Sequence, residues 1–423
     1  MSTPDLPRKV GQGGALLLSF NGAVGAAVFA LPATLAASVG GFAPWLFPLA
    51  GLVMLVIALP FARAAASMPG HGGPALYGAA FGRLAGFELG WIYYVARTAA
   101  LAANVHVLVD YLLRWAGAEP SPVVRSALIV AIIGLLALAN IAGMSRALRL
   151  LGGLTVLKTL PLVAIALLAL LSLPLAPVGP PPPLEPLQAS LLLVFYAFVG
   201  FENAAVTAGE TRGAERVIPR ALLLTLLSIV LLYFVVQLAF LAAAPDVAEG
   251  DKAPLLALGA ALFGPPGAFL ILLAAVTSLL GNLHGNLAAT PRVTYALAKR
   301  GDLPALFGTV HPRFESPHAS ILFMALFASA LALTGGFTWL AVMSVLARLF
   351  VYAVTIAAWL RGGERGGGEQ VLGLSAILLC AVVASQASLD SWLTLGLLAL
   401  AGAVLFLVAG RAAQHPVEGG EQR

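Results

Sequence analysis

The chain has 423 residues, of which 60% are hydrophobic and 10% charged, and its mean hydropathy is +0.97. Soluble domains carry about 25% charged residues, so this sequence cannot cover a globule with water-compatible surface. The net charge of +5 belongs to membrane loops, where basic residues sort the two sides, and is no sign of nucleic-acid binding.

A bilayer core needs about 20 apolar residues per helix. Twelve stretches suit it, near 13–37, 42–62, 87–113, 123–142, 151–173, 188–208, 221–243, 267–290, 317–334, 337–360, 371–387 and 391–410. The expected fold class is an all-α polytopic membrane protein with twelve transmembrane helices in the lipid bilayer.

The first stretch holds Asn21-Gly22-Ala23-Val24-Gly25-Ala26-Ala27-Val28-Phe29, with Pro32 after it. Arg8 and Lys9 before it imitate a signal peptide, but the run is long and eleven spans follow, so a retained helix is expected. The third stretch carries Arg97 and Asn104, and the fifth carries Lys158 in LTVLKTLPL. The sixth reads Phe195-Tyr196-Ala197-Phe198-Val199-Gly200-Phe201-Glu202. A glycine interruption and a buried acid are costly in hydrocarbon, because freed backbone groups and charge both need partners there. The eighth stretch holds Asn282, His284 and Asn286, and the tenth holds Arg348.

Between the stretches, Pro180–Pro183 reads as a stiff extended spacer. Pro254–Phe263 reads as a short helix against the outer surface, with Pro254 at its first position. Cys380 is the single cysteine, which permits no intrachain disulfide and suggests no metal or thiol chemistry. No phosphate-cradling glycine loop ends in Lys-Ser or Lys-Thr. No Ser-His-Asp order, catalytic carboxylate pair or metal-spaced histidine cluster is present either, so neither an enzyme nor a cofactor is expected.

Basic residues set the topology. With a cytoplasmic N-terminus, Arg114, Arg125 and Lys252 fall outside, and Arg97, Lys158 and Arg348 fall within spans. The remaining seventeen of the 23 Lys and Arg lie inside. This places both termini in the cytoplasm, for a multi-pass protein of the cell inner (plasma) membrane.

Two interrupted spans at corresponding places in two five-helix sets point to a transport site at a repeat interface. Half-helix N-termini there offer free N–H groups to an anion, and unwound carbonyls can hold a cation. At these residues the chain resembles the amino acid–polyamine–organocation permease family. Gly25-Ala26-Ala27-Val28-Phe29 is similar to the family's Gly-Ser-Gly-Ile-Phe motif. Gly200-Phe201-Glu202 through Glu210-Thr211, Glu215-Arg216 and Ile218-Pro219-Arg220 is the nearer match. The third segment, Asn286–Pro317, includes Pro291-Arg292, Arg300-Gly301-Asp302-Leu303-Pro304 and His311-Pro312-Arg313.

The resemblance implies a five-plus-five inverted repeat (leucine-transporter-like), alternating access, and a substrate between broken helices 1 and 6. The repeats would be 13–173 and 188–360, with 371–410 forming helices 11 and 12, and 1–12 and 411–423 the cytoplasmic ends. The substrate carboxylate would meet N–H groups of Gly25, Ala26 and Ala27. Its amino group would meet carbonyls near Ala23 and Phe198. Gly200 marks the second break, Tyr196 takes the place of an aromatic gate or is a core aromatic, and Asn104 lines the site or bonds across helices. Ala26 and Ala27 depart from the family's serine and second glycine, which narrows the carboxylate site.

For coupling, the resemblance assigns protons to Lys158, in place of sodium, with Thr277 and Ser278 as neighbours. The alternative is a lysine snorkelling to the inner face. Glu202 matches an acid near the family's cytoplasmic path, or forms a structural ion pair. Arg97 and Arg348 face the bundle to meet an acid, helix carbonyls or an anionic substrate group. The expected function is secondary active transport of small or hydrophobic neutral amino acids. Alternatives are an amino acid or polyamine exporter or exchanger on the same fold, and a transporter-like membrane sensor.

Overall fold

The computed structural model describes residues 11–67, 77–142, 151–175, 177–206, 211–243, 245, 247, 251–363 and 365–414. Arg8, Lys9, Arg146, Arg149, Glu210 and Arg423, all used in the sequence reading, lie outside the described residues.

The chain opens with Gln12–Ala23 (α1) and Ala27–Val39 (α2), one apolar span broken at residues 24–26. Leu46–Ser67 (α3), Arg83–Ala116 (α4), Pro122–Ile141 (α5) and Leu151–Ser172 (α6) follow. A second broken span consists of Leu184–Phe195 (α7) and the single turn Asn203–Val206 (α8). Beyond it come Ala214–Ala243 (α9), Pro254–Ala289 (α10) and Pro291–Lys299 (α11). The chain continues through His318–Thr334 (α12), Phe337–Arg361 (α13), Gly367–Ala384 (α14) and Leu389–Gln414 (α15).

Among the described residues, nine helices are long and apolar enough to cross a membrane, and Leu184–Phe198 and His318–Thr334 are shorter apolar helices. The molecule is a multi-pass helical membrane protein. The twelve apolar stretches and these helices differ where the backbone merges or breaks them. Ala27–Val39 and Leu46–Ser67 are separate helices, divided by Gly40 at φ +54° and a tight turn over Gly40–Trp45. Pro254 does start a short helix, which breaks at the non-helical Phe263 and Gly264 before a second helical stretch runs on to Ala289. Pro265 and Pro266 follow the kink, where missing N–H groups disfavour an unbroken ladder.

α4 organises the interior. Residues 89–109 are buried without interruption, as expected of a helix apolar all round. It packs against α10, α12, α13 and α15. Its buried polar residues Arg97, Asn104 and His106 must therefore find partners inside the protein. His106 does so at one end: its Nε2 lies 2.9 Å from the Ala332 carbonyl, and Arg125 Nη1 lies 3.1 Å from its Nδ1. Because Arg125 is donor only, Nδ1 accepts and Nε2 donates. Arg125 also donates to Asp110 Oδ1 at 2.7 Å. At the other end, Asp302 is paired with Arg83 at 2.7 Å and with Arg300 at 3.1 Å. That ties the Arg300-Gly301-Asp302 segment to the start of α4.

Candidate functional site

The two breaks meet face to face. The last α1 bond runs from Val24 N–H to Phe20 O at 3.0 Å, and Val24 then leaves the helical region at φ −79°, ψ 87°. In the second span, α7 gives way to a tight turn over Tyr196–Phe198, and Gly200 adopts φ +101°. A Cβ on Gly200 would lie 2.5 Å from the Gly22 carbonyl carbon and 2.9 Å from Ala23 N. On Gly22 it would strike the Asn203 carboxamide and come within 3.0 Å of Gly200 O. Glycine at both positions lets the backbones touch.

A broken helix in a low-dielectric interior needs every freed backbone group satisfied. Side chains from four other helices do this. Ala26 N–H donates to Asn104 Oδ1 at 2.9 Å, Asn104 Nδ2 to Asn282 Oδ1 at 2.7 Å, and Asn282 Nδ2 to Gly22 O at 2.9 Å. This asparagine bridge spans the break from α4 and α10. Ser278 donates to Val24 O at 3.0 Å, Tyr233 to Ala23 O at 3.5 Å, and Ser19 to Phe201 O at 2.7 Å.

Lys158 is 1% exposed, so it does not snorkel. Its Nζ donates to Asn21 Oδ1 at 2.6 Å, Val24 O at 3.0 Å and Asn21 O at 3.1 Å. All three ammonium donors are thus used on the end of α1. Asn21 Nδ2 donates in turn to Thr155 Oγ1 at 2.7 Å, one turn before Lys158 on α6. Of the two expected neighbours, Ser278 shares the Val24 carbonyl with Lys158, whereas Thr277 bonds back to Leu273 and Ala274 of its own helix.

Glu202 ties the second break to α13. Its Oε1 accepts from Arg348 Nε at 2.8 Å, and its Oε2 accepts from Gly200 N at 2.9 Å and Tyr352 OH at 3.1 Å. Arg348 also donates to Ala96 O at 3.0 Å and to Ser344 Oγ. Of the partners read for Arg348, it meets both an acid, Glu202, and a helix carbonyl, Ala96 O. Arg97 has no ion pair among the described residues and bonds to neutral oxygens instead.

Of the residues singled out from sequence, Ala23, Gly25, Ala26, Ala27, Asn104, Lys158 and Gly200 gather at the breaks. The Gly25 N–H turns back to Ala23 O at 3.0 Å, so in this conformation Ala26 is the position that reaches outward. Tyr196 is buried, its hydroxyl 3.4 Å from both Asn104 Oδ1 and Ala100 O, and its ring stands edge-on to Phe337 at 5.7 Å. The Phe198 carbonyl accepts from Phe201 N at 3.3 Å. Sequence reasoning gave Asn21 and Asn203 no role and gave Asn282 a packing one. The available signal was carboxamides placed beside glycine interruptions in apolar spans.

A helical membrane protein whose interior is built on two apposed helix breaks belongs with the membrane transporters in class. A model of the amino acid permease family matches residues 11–413, and the chain belongs to that family. It is similar to an uncharacterized transporter of Mycobacterium tuberculosis, 27% identical over 393 residues, or 92% of this chain and 88% of the relative. It is similar also to the serine/threonine exchanger SteT of Bacillus subtilis, 29% identical over 187 residues, covering 43% of this chain and 42% of the exchanger. The vacuolar cationic amino acid transporter 4 of Arabidopsis thaliana is 30% identical over 148 residues, 34% of this chain and 24% of the relative. The likeness therefore spans most of the mycobacterial relative, under half of the exchanger and about a quarter of the plant protein. The family and these relatives are transporters, not enzymes, and the family, the exchanger and the plant transporter support amino acid transport.

Proposed function

We propose that the chain is a secondary active transporter of small or hydrophobic neutral amino acids, coupled to protons and working by alternating access. The observation that carries this reading is the Lys158 ammonium held by three oxygens of the broken span. A neutral amine has two donors and a lone pair. Loss of one proton sets that lone pair against an oxygen of Asn21 or Val24 and loosens the break. Protonation and the shape of the site are then one equilibrium, and sodium is not required. Glu202 is the second proton-coupling residue, since its carboxylate joins the Gly200 backbone to α13.

The substrate carboxylate takes the Ala26 N–H from Asn104 Oδ1, at the positive end of α2, with Gly25 and Ala27 beside it. The substrate amino group meets the carbonyls of Ala23 and Phe198. Tyr196 closes over the site. The methyl groups of Ala26 and Ala27 and the apolar surroundings favour a small or hydrophobic side chain. The architecture that fits is twelve crossings in a leucine-transporter-like inverted repeat, 13–173 and 188–360, followed by 371–410. Both termini are cytoplasmic, in the inner (plasma) membrane. Exchange of amino acids is the second reading, supported by likeness to a serine/threonine exchanger.

The test is uptake into proteoliposomes of a panel of labelled amino acids, with and without an imposed proton gradient. The expected result is accumulation of a neutral amino acid that the gradient increases. In Lys158→Ala the gradient is expected to have no effect, while counterflow exchange persists. Flux of no amino acid would overturn the transport reading, and full gradient-driven uptake by Lys158→Ala would overturn the role of Lys158.

A further inference from the structure

Arg97 is 8% exposed, and its bonds leave its charge unanswered. Nε donates to Thr290 Oγ1 at 2.6 Å and Asn286 Oδ1 at 3.1 Å. Nη1 donates to Asn203 Oδ1 at 2.8 Å and Tyr93 OH at 3.1 Å. All four acceptors are neutral. The buried carboxylate of Glu202 has its two oxygens taken by Arg348, Gly200 N–H and Tyr352. This part of the interior therefore holds two guanidinium charges against one carboxylate. A lone charge at membrane depth is costly and marks a polar pathway more often than a packing contact.

Three donors around Arg97 are unused. Arg97 Nη2, Asn203 Nδ2 and the Tyr93 hydroxyl proton donate to no acceptor among the described residues. Asn203 lies against Gly22, which puts this cluster next to the helix breaks and on the α8 side of them. A planar guanidinium flanked by two neutral donors and in contact with no acid suits a small anion.

We propose that Arg97, Asn203 and Tyr93 form a second anion-binding station beside the breaks, which takes a small monovalent anion. The anion is either the α-carboxylate of an amino acid in transit or chloride. The first source rests on the transport reading, whereas binding at Arg97 does not. A purely structural arginine, tied by its four bonds, would not respond to the anion in the buffer.

The test uses the purified full-length chain in detergent. Its unfolding midpoint is measured in sodium chloride, sodium acetate and sodium gluconate at one ionic strength, gluconate serving as the bulky reference anion. Chloride or acetate is expected to raise the midpoint of the unsubstituted protein by a few degrees, saturably, as ligand binding to the folded state requires. Arg97→Gln is expected to abolish the rise. A response to chloride alone assigns an inorganic anion, to acetate alone a carboxylate, and to both a shared station. No response, or the same response in Arg97→Gln, would overturn the proposal. If Arg97→Gln does not fold, Arg97→Lys replaces it, and its apparent affinity for the anion is expected to fall by roughly threefold or more. Unchanged affinity would then overturn the proposal. Uptake without an anion response sinks the station alone, and an anion response without uptake sinks the transport reading alone.

Discussion

Gly200→Ala is expected to abolish transport and to destabilise the protein by about 2–5 kcal/mol, the sum of a left-handed backbone penalty and an overpacking penalty. The backbone at Gly200 has φ +101°, a conformation L side chains rarely adopt. The added methyl would also sit within 3 Å of the Gly22 carbonyl carbon and Ala23 N. These are backbone atoms and cannot rotate away. Relief requires the two breaks to separate, which also draws Gly22 O away from its bond with Asn282. Gly134→Ala on α5 is the control. Its Cβ would meet nothing within 4 Å, so that helix is expected to gain slightly from the change. Thermal unfolding in detergent, together with uptake, distinguishes the two variants.

Glu202→Gln is expected to cost about 3–5 kcal/mol, the usual consequence of removing one partner of a buried ion pair. The geometry explains why a near-isosteric change is so damaging. Oε1 accepts from Arg348, and Oε2 accepts from both Gly200 N–H and Tyr352. Whichever way the glutamine amide is turned, its NH2 group faces a donor. Arg348, 3% exposed, is also left without a counter-charge. Glu202→Gln combined with Arg348→Met removes the stranded charge and is expected to be more stable than Glu202→Gln alone. Comparing unfolding midpoints of the single and double variants checks this coupling.

Much of the site was legible in the sequence because hydrocarbon makes polar residues conspicuous. Lys158 stands out in LTVLKTLPL, and Gly25 and Gly200 stand out as interruptions in apolar runs. Their partners were not legible. The oxygens that hold Lys158 come from residues 137 and 134 positions away, and no local pattern encodes that pairing. Arg97 and Arg348 read alike as cations within spans. They differ in three dimensions only because Glu202, 146 positions from Arg348, meets one of them. Asn282 read as a packing residue because a carboxamide on a membrane helix bonds across helices in many settings. The helices themselves were legible as apolar stretches, and so were their divisions near Gly40 and at Phe263 and Gly264, where glycine and proline interrupt the runs.

The central claim is that a substrate carboxylate displaces Asn104 from the Ala26 N–H at the break of the first span. The most direct measurement is competition for labelled uptake in proteoliposomes by the transported amino acid and by the corresponding amine, which lacks the carboxyl group. A site built around a hydrogen-bonding group rejects an analogue without it strongly, so the amine is expected to compete about 100-fold less well or worse. Equal competition by the amine would contradict the account.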